Sequence, residues 1–258
     1  MNNSIALIGL AAGIIQVAGY VLYYVLVIRR EGKAAEPLTW LMFAYGTALL
    51  TVMELDSMWK EARESAAWVE VLAVLLLPII CSLGGIMVSV AIWRENYRQT
   101  KEWWPSRWKL DWQSTDGKAF AADLGLTVLY TILWMCTIIG ITSGSGHLWW
   151  VIAFLIVSNV TTFPNFVPIL REAFRHPEKE DARPWFVWTA AYALLLIPTW
   201  DYGSSGVIWP QTWWLSEWDV SFWLLVALMS YPAINTLMHG IMAVAESKKV
   251  GLSQRHSQ

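Results

Sequence analysis

Seven apolar runs, joined by loops whose basic residues fall almost wholly in alternate positions, constrain this 258-residue chain more than any other feature. The runs cover about Ile5 to Ile28, Leu38 to Leu55, Val69 to Trp93, Ala119 to Ile141, Leu148 to Leu170, Trp185 to Trp200 and Val220 to Ala245. At a rise of about 1.5 Å per helical residue, each comes near the roughly 30 Å of a bilayer's hydrocarbon core. A chain that is 56% hydrophobic and 15% charged, with mean hydropathy +0.43, carries more apolar surface than a soluble domain of its size can bury. Lipid must therefore solvate part of it. The expected fold class is all-α: a polytopic membrane protein with seven transmembrane helices.

The charges give the direction. Arg29, Arg30, Lys33, Arg94, Arg98, Lys101, Arg107, Lys109, Lys118, Arg171, Arg175, Lys179, Arg183, Lys248, Lys249 and Arg255 all fall on one side, against Lys60 and Arg63 on the other. The positive-inside rule then puts the N-terminus outside and the C-terminus in the cytoplasm, with the plasma (inner) membrane as the expected location. Met-Asn-Asn-Ser lacks a basic leader region and the run after it is long enough to span, so it reads as the first helix. Six tryptophans, Trp200, Trp209, Trp213, Trp214, Trp218 and Trp223, surround the last outer loop, as in an interfacial belt. Trp104, Trp108 and Trp112 recur every fourth residue around Pro105 and predict a short interfacial helix that carries Arg107 and Lys109 to lipid phosphates.

Composition also removes function classes. A net charge of -2 offers no general attraction for nucleic acid. Cys81 and Cys136 both lie in apolar runs and read as packing thiols, with no Cys/His spacing for a metal. No lysine lies within a span to form a Schiff base, and His239 is the only histidine inside one, which leaves no pair for haem. No cofactor and no enzymatic activity are expected. Glu172, His176 and Glu178 are close in sequence without a recognisable catalytic spacing.

Two segments, each opening on proline, lie 154 residues apart and align without a gap: Pro78/Pro232, Ile80/Ile234, Leu83/Leu237, Val90/Val244 and Ala91/Ala245, with Cys81 opposite Asn235. At an offset of 147, Pro37, Ala44, Tyr45 and Leu49 match Pro184, Ala191, Tyr192 and Leu196, and Glu54 faces Asp201. Gln16 and Gly19 of span one stand against Asn165 and Pro168 of span five. Spans one to three thus read as repeated in spans five to seven. A directly copied unit of three helices would insert upside down, and the fourth span restores its direction. The expected organisation is a first three-helix bundle (1–93), a Trp-rich loop with a linker helix (94–147), and a second, parallel three-helix bundle with its tail (148–258).

With Pro164-Asn165 in span five, where Pro-Gln is the family's signature, and Pro232-x-x-Asn235 in span seven, this layout resembles the SWEET and PQ-loop transporter superfamily. The resemblance implies transport by two three-helix bundles around a linker helix, with Asn235 helping to hold substrate. Span one has Gln16 in place of Pro-Gln, and Cys81 occupies the position matching Asn235.

Distances from the span ends put Tyr45, Tyr192, Cys81 and Asn235 near the bilayer centre, where an unpaired polar group is costly. Asn159, Thr161, Thr162 and Asn165 make span five more polar than its counterpart. A midplane cavity lined by Asn235, Cys81, Tyr45, Tyr192, Asn159, Asn165 and Gln16 would suit a small neutral or zwitterionic solute, such as a sugar. The alternative role for the same amides is to bond neighbouring helices. Pro78, Pro168, Pro232 and Gly19 are candidate hinges, and Glu54 and Asp201 a candidate outer gate, or solvated carboxylates at span ends. The expected partners are membrane lipid and the solute, with homo-oligomers compatible. The expected function is facilitative transport by alternating access; the alternative is a receptor on the same fold, similar to KDEL receptors.

Overall fold

The structure is a computed structural model and describes residues 3–28, 37–65, 68–103, 112–138, 145–175, 181–204 and 220–255. All regular elements among them are helical. They are α1 (Asn3–Tyr23, continued by a π-helical turn over Tyr24–Ile28), α2 (Pro37–Ser65), α3 (Trp68–Thr100), α4 (Thr115–Ile138), α5 (Ser145–Val160), α6 (Thr162–Arg175), α7 (Ala182–Ser204) and α8 (Val220–Arg255). The predicted fifth span is the α5–α6 pair, so seven helical rods correspond to the seven apolar runs. The predicted interfacial helix around Trp104 and Trp108, and the outer loop carrying Trp209 to Trp218, lie outside the described residues.

Local chemistry sets the ends. Ser114 caps α4, its hydroxyl accepting from the Gly117 amide at 3.0 Å, and Asp181 caps α7 by accepting from the Arg183 amide at 3.0 Å. Helix α3 stops where Lys101 turns left-handed (φ 61°). The chain then folds back, with Trp103 stacked on Tyr97 at 4.3 Å and its carbonyl accepting from the Trp93 indole at 2.6 Å. The break between α5 and α6 follows from Pro164, which lacks the N–H that the Val160 carbonyl would accept; helical bonding resumes when Asn165 donates to Thr161 at 3.2 Å.

Among the described residues, five stretches are long and apolar enough to cross a membrane: Ser4–Ile28, Leu72–Thr100, Thr115–Cys136, Trp149–Arg171 and Phe222–Ser247. Leu38–Met53 is a shorter apolar helix, and α7 is not among the five. The shortfall of α7 comes from its aromatic residues and proline, which score low on hydropathy. It is nonetheless deeply covered, with Trp185, Trp188, Ala191, Tyr192 and Leu195 all buried. A helix clad by protein needs less hydrophobicity than one facing lipid.

Glycines bring α1 against α3. A Cβ on Gly9 would overlap the Ala73 backbone, one on Gly13 the Leu76 side chain, and one on Gly84 the Tyr20 ring. These contacts advance together along both helices, so α1 and α3 are parallel. Helix α3 also packs on α2, antiparallel to it, where Ser82 donates to the Ala44 carbonyl at 3.1 Å. The second half has the same order: α8 lies between α5–α6 and α7. Asn159 meets Ser230, and Phe166 meets His239, so α5–α6 and α8 are parallel too. Across the halves α1 packs broadly on α7, whereas α2 makes only slight contact with α5 and α6. Helix α4 lies on α5 and α6 and touches α2.

Candidate functional site

The slight contact between α2 and α5–α6 leaves two adjoining clefts, both bordered by Phe43 and Asn165. The one nearer the middle of the rods runs between Gly46, Thr47 and Leu50 of α2 and Ser158, Asn159, Thr161 and Thr162 at the α5–α6 break, with Tyr231 of α8. Its free interior is about 20 Å³, and it is open to the exterior. The other, with a free interior of about 20 Å³ as well, is bordered by Tyr20, Thr39, Trp40, Phe166, Ile169, Trp185, Trp188 and His239. Among these described residues there is no carboxylate, lysine or arginine. Both clefts are narrow.

The second cleft is walled by rings. Trp188 lies 5.2 Å from Tyr20, 5.1 Å from Trp185 and 5.7 Å from His239, and His239 lies 5.0 Å from Phe166 and 4.9 Å from Tyr192, measured between centroids. Gly19 makes this packing possible, because the Trp188 indole nitrogen fills the space that a Cβ there would take. His239 Nδ1 is 2.8 Å from the Asn235 carbonyl. A carbonyl only accepts, so Nδ1 carries the proton and the neutral ring keeps Nε2 as an acceptor. The indole nitrogens of Trp40 and Trp188 and Oδ1 of Asn235 are buried and find no partner among the described residues. Such groups each cost about 1–3 kcal/mol unless something bonds them.

A separate polar knot joins the two halves. Cys81 Sγ lies 3.2 Å from Nε2 of Gln16, which donates to it, and 3.0 Å from the Tyr192 hydroxyl, while Tyr20 donates to the Cys81 carbonyl at 3.2 Å. Cys81 and Tyr192 are fully buried and Gln16 nearly so. None of the three borders either cleft.

The expected site residues thus divide into groups. Asn165 borders both clefts and Asn159 one of them. Asn159 also ties α5 to α8, donating to Ser230 Oγ at 2.7 Å and to the Ala227 carbonyl at 3.3 Å. Asn235 is buried and donates to the Tyr231 carbonyl one turn back, at 2.9 Å. Tyr45 stands apart, about two-fifths exposed, with its hydroxyl 3.0 Å from Thr131 of α4. Pro78 and Pro232 are buried within α3 and α8, and Pro168 lies within α6. Asp201 is half-buried near the end of α7, whereas the Glu54 side chain lies outside the described set.

Tyr20, Trp40, Trp185, Trp188 and His239 escape the sequence reading. Tryptophan near a span end reads equally well as a membrane belt, and Trp40 and Trp188 lie less than one turn inside their runs. No protein-family model, no curated protein and no solved structure matches this chain.

Proposed function

We propose that the protein is a membrane transporter of a small, uncharged polar solute, with a sugar-like ring as the best fit. In this reading the N-terminus is outside and the two three-helix units, α1–α3 and α5–α8, rock about the α1–α7 contact with α4 as linker. The observation that carries it is the uncharged, ring-walled cleft between α2 and α6. Its rings offer flat apolar faces, Trp40 offers an unpartnered donor and His239 an acceptor. A hydroxylated ring needs that combination: apolar faces for its C–H surfaces, and both donor and acceptor for its hydroxyls.

Three further features support movement. The clefts lie where the halves barely touch, so widening them breaks few contacts. The rod beside them is already interrupted at Thr161, and broken helices beside polar cavities recur in transporters. Proline residues in α3, α6 and α8 also loosen those helices.

The test is uptake of labelled neutral solutes by proteoliposomes, with Trp40→Phe and Asn165→Ala compared with the unaltered protein. Flux that both substitutions lower, with the fold intact, supports transport. Solute binding without flux favours a receptor, and neither binding nor flux across a broad solute panel overturns the reading.

A further inference from the structure

On the outer face of α1 and α3, with Tyr20 standing between it and the ring-walled cleft, runs a third depression, lined by Val17 and Tyr24 of α1 and by Ile80, Leu83, Met87 and Ala91 of α3, among others. It has a free volume of about 400 Å³ and is almost wholly apolar. Its rims are exposed, Met87 at 71% and Leu83 at 57%. From Ile80 to Ala91 it runs about 16 Å at 1.5 Å per residue, close to half of the roughly 30 Å hydrocarbon core, the depth of one leaflet.

The α3 wall ends in basic residues. Helices α1 and α3 are parallel, so Ile28 and Thr100 close the same end of the molecule. Along α3 the helical period places Arg94 and Arg98 on the groove's own face, one and two turns beyond Ala91. Both are exposed. Arg98 is paired with Glu95 at 2.7 Å and Arg94 also acts on that carboxylate, so these three described residues keep one positive charge in excess at the groove mouth. The sequence after α1 continues with Arg29 and Arg30. The end of α3 is held in place by the Lys101 turn and by Trp103 against Tyr97 and Trp93.

We infer that this groove binds one anionic phospholipid, an acyl chain lying between α1 and α3 and the headgroup phosphate held at Arg94. This rests on the membrane placement proposed above and is independent of transport. A zwitterionic lipid would fill the groove equally well but gain less from the charge at its mouth. Near a membrane surface one basic residue favours an anionic headgroup about fivefold.

The experiment uses the full chain in nanodiscs of nine parts phosphatidylcholine to one part phosphatidylglycerol, with lipids that stay bound counted by native mass spectrometry. Retention in vesicles under alkaline carbonate is measured first; release there overturns the membrane placement and the lipid site with it. In the unaltered protein we expect one bound phosphatidylglycerol, enriched about fivefold or more over its share of the mixture. Arg94→Gln should remove most of that enrichment. Ala91→Trp should fill the groove and abolish it, while Val128→Trp, on exposed α4, should leave it unchanged. A bulk lipid ratio in a membrane-retained chain, or enrichment that survives Arg94→Gln, overturns the lipid site alone. So does an intermolecular disulfide formed readily by Met87→Cys on a Cys136→Ser background, since a second copy would then occupy the groove.

Discussion

The Cys81 thiol and the Tyr192 hydroxyl meet at 3.0 Å across the boundary between the two halves of the molecule, with no exposure of either side chain. The Gln16 amide completes the contact from α1. Cys81→Ala would strip a buried phenol and a buried amide of a shared partner, at a cost of about 1–3 kcal/mol. Cys81→Ser, which keeps a polar atom there, should recover part of the loss. Thermal unfolding in detergent checks both, and equal melting of the Ala and Ser variants would show that the thiol acts only by filling space.

Gly19→Ala sets two effects against each other. Alanine favours a helix over glycine by about 1 kcal/mol. The added Cβ, however, would occupy the position of the Trp188 indole nitrogen, and overpacking costs about 1–3 kcal/mol. Because Trp188 is itself enclosed by Tyr20, Tyr23, Trp185 and His239, it has little room to yield. The variant should be less stable than the unaltered protein and slower in uptake. An increase in melting temperature would count against the packing described for this cleft.

Trp40→Phe should separate stability from solute binding. The indole nitrogen is buried without a partner among the described residues, so its removal relieves an unsatisfied donor while most of the ring remains. Melting temperature should hold or rise slightly. Solute affinity should fall about tenfold, the equivalent of one hydrogen bond of roughly 1.4 kcal/mol. Unchanged affinity would mean that this donor does not reach the solute.

Asn159 ties α5 to α8 through Ser230 and the Ala227 carbonyl. Asn159→Ala and Ser230→Ala should each destabilise the protein by about 1 kcal/mol. Being in contact, they should combine with a coupling energy of about 0.5 kcal/mol or more. Strict additivity in a double-mutant cycle would deny the bond.

Tyr45→Phe should matter little. Its hydroxyl bonds Thr131 at a partly exposed position, away from both clefts. We expect a stability change below about 1 kcal/mol and unaltered uptake; a large fall in uptake would mean that α4 takes part in the transport cycle.

The contrast between Tyr45 and Tyr192 marks the limit of what the sequence determined by itself. It set the seven helical rods, because apolar length and the charges between runs act locally and need no knowledge of neighbours. The expected repeat also set Tyr45 against Tyr192 as matching positions. The sequence had no means of telling their surroundings apart, since helical periodicity groups residues on a face but does not say what covers that face. Tertiary structure decided this: α7 is enclosed by α1, α3 and α8, so Tyr192 reaches Cys81, whereas Tyr45 points to α4. The same holds for Gly19, a candidate hinge in the sequence and a seat for Trp188 in the fold. The ring-walled cleft draws on α1, α2, α6, α7 and α8, and its existence depends on which helices fail to touch, a property that only the packed assembly possesses.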